Sequence, residues 1–279
     1  MAEIQLFRIG EQVEKLKESN ISFERDLQNI IENNMEMFFG VKFLASEYVI
    51  DSGRMDSIGI DENGCPVIFE YKRSMSENII NQGLFYLNWL RKHKDSFKVL
   101  VMEKLGVQAV ENIDWSMPGI ICIANDFNKY DSEAIREMTS SVSLIRYKKY
   151  NDLLLFEFVN SNTNQLNRNK NQTLIHKAVS TVEQENRKDS YTSFTEWYES
   201  APKYLKDIFD SLKEFALSLG DDVTETTLKY YLALKKIKNF ATMGIFRKKI
   251  LINFKLNPIN YTLTEKLRDL SDRRGALRR

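Results

Sequence analysis

The pattern of apolar and polar positions over the first 160 residues predicts a helix, a run of strands, and then strands separated by helices. A polar lead-in occupies residues 1–20. A helix is predicted over 22–38, with Ser22 as its N-cap. Its apolar stripe is Phe23, Leu27, Ile30, Ile31, Met35 and Phe38. Glu24 falls on that stripe, between Ile31 and Met35, whereas Glu32 is expected on the opposite, solvent-facing side. Strands are predicted near 41–51, 54–61 and 65–72. A helix over 76–93, capped by Ser76, comes next, then a strand at 97–102 and a short helix near 104–112. A strand at 118–124, a helix at 131–140 and strands at 142–147 and 152–159 complete the region. This succession predicts an α/β (α+β) fold, a mixed central sheet with helices on both sides.

Residues 160–190 are rich in Asn, Gln, Ser, Thr and Lys, and read as a linker carrying a short helix from Leu174 to Asn186. Beyond it a helix is expected at 201–218, with Gly220 as its C-cap. Strand-like segments lie near 228–234, 238–245 and 249–256. Pro258 ends the last, and a short helix starts near Thr264. The expected organisation is a first domain over 1–160, a polar linker over 161–192 and a small α+β domain over 193–279.

Chemistry concentrates between residues 53 and 72. Pro66 to Tyr71 has the β-branched and aromatic content of a strand. Side chains two apart on a strand share a face, so Glu70 and Lys72 point one way and Phe69 and Tyr71 the other. Arg54 to Asp61 pairs with this strand through a hairpin at Glu62-Asn63-Gly64. A two-residue Asn-Gly loop sets Asp56 opposite Tyr71, on the wrong face. A three-residue loop with Gly64 left-handed sets Asp56 opposite Glu70, and this is the loop expected. Two adjacent carboxylates suit a shared hard divalent cation, Mg²⁺ or Mn²⁺. Without a cation or the Lys72 ammonium, their repulsion raises one pKa. The plain alternative is a solvated hairpin face, since Glu-x-Lys alone is a weak signal. Glu24, an acid on a core-facing stripe, is a candidate third ligand, or else a first-turn acid favoured by the helix dipole. Gln82 and Tyr86, four apart on the 76–93 helix, either line the cleft beside Lys72 or sit on the helix surface.

With Glu24 in Phe23-Glu-Arg-Asp-Leu27, Gly53-Arg54-x-Asp56, Glu70-x-Lys72 and Gln82-x-x-x-Tyr86 in order, the segment from about Ser22 to Val159 resembles the NucS-like branch of the PD-(D/E)XK nuclease superfamily. The resemblance implies a restriction-endonuclease-like fold, metal binding by the counterparts of Glu24, Asp56 and Glu70, a lysine (Lys72) that orients or activates the attacking water, and a glutamine (Gln82) at the edge of the site. Tyr71 stands where that family usually has a small aliphatic residue, and is expected to point into the core. From about Phe194 to Leu270 the chain resembles an uncharacterised bacterial domain sometimes labelled a predicted transport protein. It does so at Tyr204-Leu-Lys-Asp-Ile208, Tyr230-Tyr-Leu-Ala-Leu234, Asn239-Phe-Ala241 and Lys249-Ile-Leu-Ile-Asn-Phe254. That family usually continues into a Gly-His-Trp-Gly-like stretch. Here Asp272 to Arg279 departs from it, as a truncated domain or a divergent tail.

Composition narrows the reading. Of 279 residues, 43% are hydrophobic and 28% charged, an ordinary globular mix. No apolar run approaches membrane-spanning length and the N-terminus has no signal-peptide core, so a soluble cytoplasmic protein with no membrane partner is expected, and the transport label has no support. Cys65 and Cys122, in predicted strands, suggest no disulfide framework, and His93 and His176 are isolated. No Walker-type or dinucleotide fingerprint is present. The net charge is +1, so nucleic-acid binding must use local patches. These are Arg91 to Lys94, Arg146 to Tyr150, Lys235 to Lys238, Arg247 to Lys249 and the Arg-rich end. Each is otherwise a solvated face. Arg146-Tyr147-Lys148-Lys149-Tyr150 interleaves aromatics with cations, which suits stacking on unpaired bases. Arg54, Arg73 and Tyr86 are further candidate DNA contacts. The expected function is a divalent-metal-dependent endonuclease on DNA, with RNA not excluded. Through the resemblance, the substrate is branched, mismatched or single-stranded DNA in repair or defence. The alternative is a non-catalytic nucleic-acid-binding or protein-interaction module on the same scaffold. NucS-like enzymes are often dimers, so a homodimer is a candidate, although no self-association stripe stands out.

Overall fold

A computed structural model describes residues 4–19, 21, 23–73, 78–137, 141–159, 193–246 and 249–256. Ser22, Ser76, the 161–192 linker with its expected helix, Arg247, Lys248, Pro258 and everything after it lie outside the described residues. The polar lead-in holds a hairpin, β1 (Leu6–Ile9) and β2 (Val13–Leu16), and a short β3 (Glu18–Ser19). The expected 22–38 helix is two helices, α1 (Glu24–Glu32) and α2 (Met35–Phe39). The break falls at Asn33 and Asn34, whose side-chain amides donate to the Asn29 and Ile30 carbonyls at 2.8 Å each. Asparagine competes in this way with the regular helical ladder.

Strands β4 (Val41–Ile50), β5 (Gly53–Asp61) and β6 (Pro66–Lys72) form an antiparallel meander. Helices α3 (Ile79–Lys92), α4 (Lys94–Leu105) and α5 (Val107–Val110) then lead to β7 (Gly119–Ala124), which runs parallel to β6. The strand expected at 97–102 is part of α4. Phe97, Leu100 and Val101 are buried at i, i+3 and i+4, the spacing of a helix face, and a short apolar run alone does not separate the two states. Helix α6 (Lys129–Glu137), β8 (Ser141–Tyr150) and β9 (Leu153–Phe158) complete the region. The sheet order is β3-β8-β7-β6-β5-β4, with β9 paired to β8. This is the expected mixed sheet. One face packs Ile58, Ile68, Ile120 and Leu144 against Ile79, Leu87, Leu90 and Phe97. The other packs Phe69, Tyr71, Ile123 and Tyr147 against Leu27, Ile31, Met35 and Phe39. Each such buried side chain contributes about 1.5–3 kcal/mol. Two residues assigned to the stripe of the first helix, Phe23 and Ile30, are instead exposed.

The β5–β6 turn has the three-residue form. Asp61 N–H donates to the Cys65 carbonyl at 2.9 Å, and the Asp61 carboxylate accepts from Asn63 N and Cys65 N at 2.9 and 2.8 Å. Gly64 has φ +84°, and a Cβ there would stand 2.1 Å from the Asn112 carbonyl oxygen. Gly64→Ala is therefore expected to destabilise the protein by at least about 2 kcal/mol in urea unfolding. A change below about 0.5 kcal/mol would show that this turn does not hold the hairpin.

The C-terminal region pairs α7 (Phe194–Ser200) and α8 (Lys203–Leu217) with an antiparallel sheet of β10 (Thr224–Thr227), β11 (Leu232–Lys235), β12 (Asn239–Phe246) and β13 (Lys249–Phe254). The helix expected over 201–218 is α8, and α7, which precedes it, was not expected. Helix α7 begins in a capping box, in which Ser193 Oγ accepts from Glu196 N and the Glu196 carboxylate from Ser193 N. Helix α8 ends at Ser218 in right-handed conformation, so Gly220 is not its cap. Strand β10 had no sequence signal.

This region contacts the tip of the β5–β6 hairpin. Tyr231 OH and Asn239 Nδ2 both donate to Asn63 Oδ1, at 3.0 and 2.6 Å, and Lys255 pairs with Glu62. Cys65 packs with Leu228 and Ala233. We propose 1–160 and 193–279 as the two folding units, joined at this turn. Asn63→Ala leaves two donors without their acceptor and should weaken the junction by about 1–3 kcal/mol. Faster hydrogen exchange in β10 and β11 would register this, and unchanged exchange would show the junction to be incidental.

Candidate active site

The β5–β6 register pairs Ser57 with Phe69 and Ile58 with Ile68, which sets Asp56 across from Glu70. Asp56 N lies 3.5 Å from Glu70 Oε1, and Asp56 Oδ2 accepts from Tyr71 N at 3.0 Å. Glu70 is fully buried beside the Asp56 carboxyl, and among the described residues its Oε2 accepts no hydrogen bond. Burial, and then the neighbouring Asp56 charge, push the Glu70 carboxyl up to about 9, against the opposing pull of Lys72. Burial likewise raises Asp56, opposed by the Tyr71 N–H and by Lys72, while the charges of Glu24 and Glu47 add to the rise.

Lys72 follows on the same strand. Its Nζ donates to Glu24 Oε1 at 3.3 Å and to the Tyr71 carbonyl at 2.9 Å. Glu24 Oε2 accepts from Arg73 N at 3.2 Å. Glu24 is thus brought to the site, but engaged with Lys72 rather than turned toward the other two acids. Among the described residues, no group of three or more acids, histidines or cysteines is gathered closely enough to hold a metal ion. What the fold assembles is a pair, Asp56 and Glu70. Mg²⁺ is commonly held by one or two carboxylates and otherwise by water and substrate phosphates, so hard oxygens, one of them buried and accepting no hydrogen bond among the described residues, fit such an ion.

Glu47 is an acid that sequence reasoning missed. Ser46 pairs with Ser57 and Tyr48 with Met55, which places Glu47 across from Asp56 on the third strand of the meander. The two-residue turn at Asp51-Ser52, which sets Ile50 across from Gly53, fixes this alignment, and the register shift between Phe43 and Ala45 lies beyond it. The Glu47 carboxylate pairs with Arg54 Nε.

Other candidates lie elsewhere than expected. Tyr86 is buried, and its hydroxyl accepts from Arg54 N at 3.3 Å and from Gln82 Nε2 at 3.2 Å. It clamps the start of β5, where Gly53 leaves the space its ring needs, and does not line a cleft. Gln82 reaches Tyr86 rather than Lys72. The Arg146 to Tyr150 patch is also corrected. Tyr147 and Tyr150 are buried, their hydroxyls donating to the Arg73 and Ile4 carbonyls, so neither can stack on a base. Arg146 is held between Asp126 and Glu157 at 2.7 Å each, and Lys148 by Glu18 at 2.9 Å. Lys149 is half-buried on the same strand. Alternation sets these two tyrosines, three residues apart, on opposite faces of β8, and the side chain is buried on each. Arg73 is exposed after Lys72, and its backbone N–H donates to Glu24. No helix of the described residues is long and apolar enough to cross a membrane.

Residues 23–114 match the Endonuclease NucS C-terminal domain family, and residues 194–272 match a Domain of unknown function (DUF5655). An uncharacterized protein of Haemophilus influenzae is 26% identical over 250 residues, which are 86% of this chain and 80% of that protein. A repair endonuclease from Pyrococcus abyssi is 16% identical with a TM-score of 0.31, over 51% of this chain and 65% of that one. A complex of EndoMS with double-stranded DNA is 15% identical with a TM-score of 0.28, over 51% and 64%. The chain spans just under two thirds of the length of these solved structures. The sequence motifs and the family matches agree: one segment of this chain is similar to the endonuclease NucS C-terminal domain and a second is similar to DUF5655.

Proposed function

We propose that the protein is a divalent-metal-dependent endonuclease that hydrolyses phosphodiester bonds of DNA. The observation that carries this reading is the buried Glu70 carboxyl beside Asp56, one oxygen of which accepts no hydrogen bond among the described residues, with Lys72 two residues on along the same strand. A buried carboxyl raised to about 9 destabilises the fold at neutral pH, and a resident cation is the simplest reason to keep it. When bound, Mg²⁺ or Mn²⁺ supplies Lewis-acid polarisation of the phosphate and lowers the pKa of a water. Asp56 and Glu70 would hold the ion. The Tyr71 N–H fixes the Asp56 carboxylate, and Glu24 fixes the Lys72 ammonium, which orients the attacking water and meets the charge developing on the phosphate. Arg73 lies where a neighbouring phosphate can be drawn in, and Arg54 can do the same once it leaves Glu47. The match to the endonuclease NucS C-terminal domain supports an endonuclease, and branched, mismatched or single-stranded DNA, in repair or defence, is the substrate proposed from the resemblance.

A non-catalytic nucleic-acid-binding module is the second reading. It is favoured by the Lys72–Glu24 pair, which leaves two acids rather than three at the site. Cleavage of labelled single-stranded, duplex, mismatched and flapped DNA with Mn²⁺ separates the two. Metal-dependent cutting by the wild type, and a loss of about 10²–10³-fold in Lys72→Ala, are expected. Folded protein that neither cuts any substrate nor binds Mn²⁺ would leave the binding module.

A further inference from the structure

A polar network lies behind the acids, and the reaction above makes no use of it. Gln28 is 6% exposed on α1, one turn after Glu24. Its Nε2 lies 2.9 Å from Glu32 Oε1, 3.0 Å from Ser46 Oγ and 2.9 Å from the Asp56 carbonyl oxygen. Ser57, fully buried, donates to the same Glu32 oxygen at 2.6 Å, and Tyr71 OH donates to Ser57 Oγ at 3.0 Å. Glu32 is therefore not a solvent-facing acid. Eight residues along a helix turn it only about 80° from Glu24, onto the flank that faces β5.

One amide and one carboxylate thus tie α1 to β4 and β5 directly, and to β6 through Ser57. The ties reach the backbone of Asp56 and the side chains of the residues that follow Asp56 and Glu70. Tyr71 is held at both ends, by its hydroxyl in this network and by its N–H on Asp56 Oδ2. The same helix carries Glu24, which holds Lys72. Packing alone would let α1 slide along the sheet by fractions of an ångström, whereas directional hydrogen bonds to three strands fix its register.

We infer that Gln28 and Glu32 are positioning residues, which hold Asp56 and Glu24 in register by bonding α1 to the β4–β6 meander through Ser46, Ser57 and Tyr71. The inference rests on the nuclease reading for its catalytic consequence, but not for its structural one.

The test uses the full chain with Gln28→Ala, Glu32→Ala, Glu32→Gln and, as a control on the same helix, Ile31→Val. Ile31 is buried and has no part in the site. Amide hydrogen exchange at Tyr71 reports the hold on Asp56 without reference to activity. Gln28→Ala and Glu32→Ala should speed that exchange well beyond Ile31→Val. They should also lower kcat by about 10–100-fold, with little change in KM for DNA. Glu32→Gln keeps an acceptor for Ser57 and should restore most of both. Should Gln28→Ala fail to fold, Gln28→Met fills the volume without the amide. Tyr71 exchange that is unchanged, or matched by Ile31→Val, overturns the inference whatever the activity. Exchange that responds as expected in a wild type that cuts nothing retains the positioning of Asp56 and removes the nuclease reading instead.

Discussion

Glu70→Gln should abolish metal-dependent cleavage and at the same time make the metal-free protein more stable. Losing a charged ligand removes several kcal/mol of transition-state stabilisation, so turnover should fall by about 10³-fold or more. The stability change has the opposite sign. In the unfolded chain the Glu70 carboxyl titrates near 4.5, and in the fold near 9. At pH 7 the folded protein must therefore keep a proton that the unfolded chain releases, which costs about 3 kcal/mol. Glutamine has the same shape and no charge, so most of that penalty disappears. An amide also has a donor to offer the adjacent Asp56 carboxylate. Urea unfolding without divalent ions, beside a cleavage assay, measures both effects. A variant that loses stability would mean that Glu70 is held by something other than a missing cation. Asp56→Ala makes a poorer probe, because it also removes the acceptor of the Tyr71 N–H.

Divalent cations should stabilise the protein more strongly as pH rises. Between pH 4.5 and 9 the folded state binds more protons at Glu70 than the unfolded state does, so metal-free stability falls as pH rises through this window and levels off above it. Asp56 is shifted in the same direction and adds to the slope from the acid side. A cation takes the place of the proton, so its apparent affinity should tighten by up to about tenfold per pH unit from 7 to 9. At an ion concentration about 100 times Kd the gain is about 2.7 kcal/mol, a rise in Tm of roughly 5–10 °C for a chain of this size. Thermal unfolding with and without Mn²⁺ at pH 6 and pH 8.5 reads this. A shift that is equal at both pH values, or that survives in Glu70→Gln, would place the ion elsewhere.

The hairpin was legible before any coordinates because its determinants are local. Strand alternation placed Glu70 and Lys72 on one face, Asn63-Gly64 marked the turn, and of the two loop lengths it allows the three-residue one, which sets Asp56 across from Glu70, is the one found. The helix at 94–105 was not legible as such. Phe97 to Met102 is too short and too apolar for its period to be read in isolation, and only its packing on the sheet decides it. The Arg146 to Tyr150 patch misled for a related reason. Composition shows cations and aromatics side by side, but not that the tyrosines face a core or that Arg146 meets Asp126 and Glu157.

By itself the sequence determined the order of the acidic motifs, the mixed sheet with helices on both faces and the partners within one hairpin, since periodicity and turn chemistry act over a few residues. Tertiary structure alone decided which acids meet. Glu24 was taken up by Lys72, and Glu32 was drawn inward by Ser57 and Gln28. Each of these depends on the relative placement of segments far apart in the chain, and that placement is set by packing rather than by any local preference.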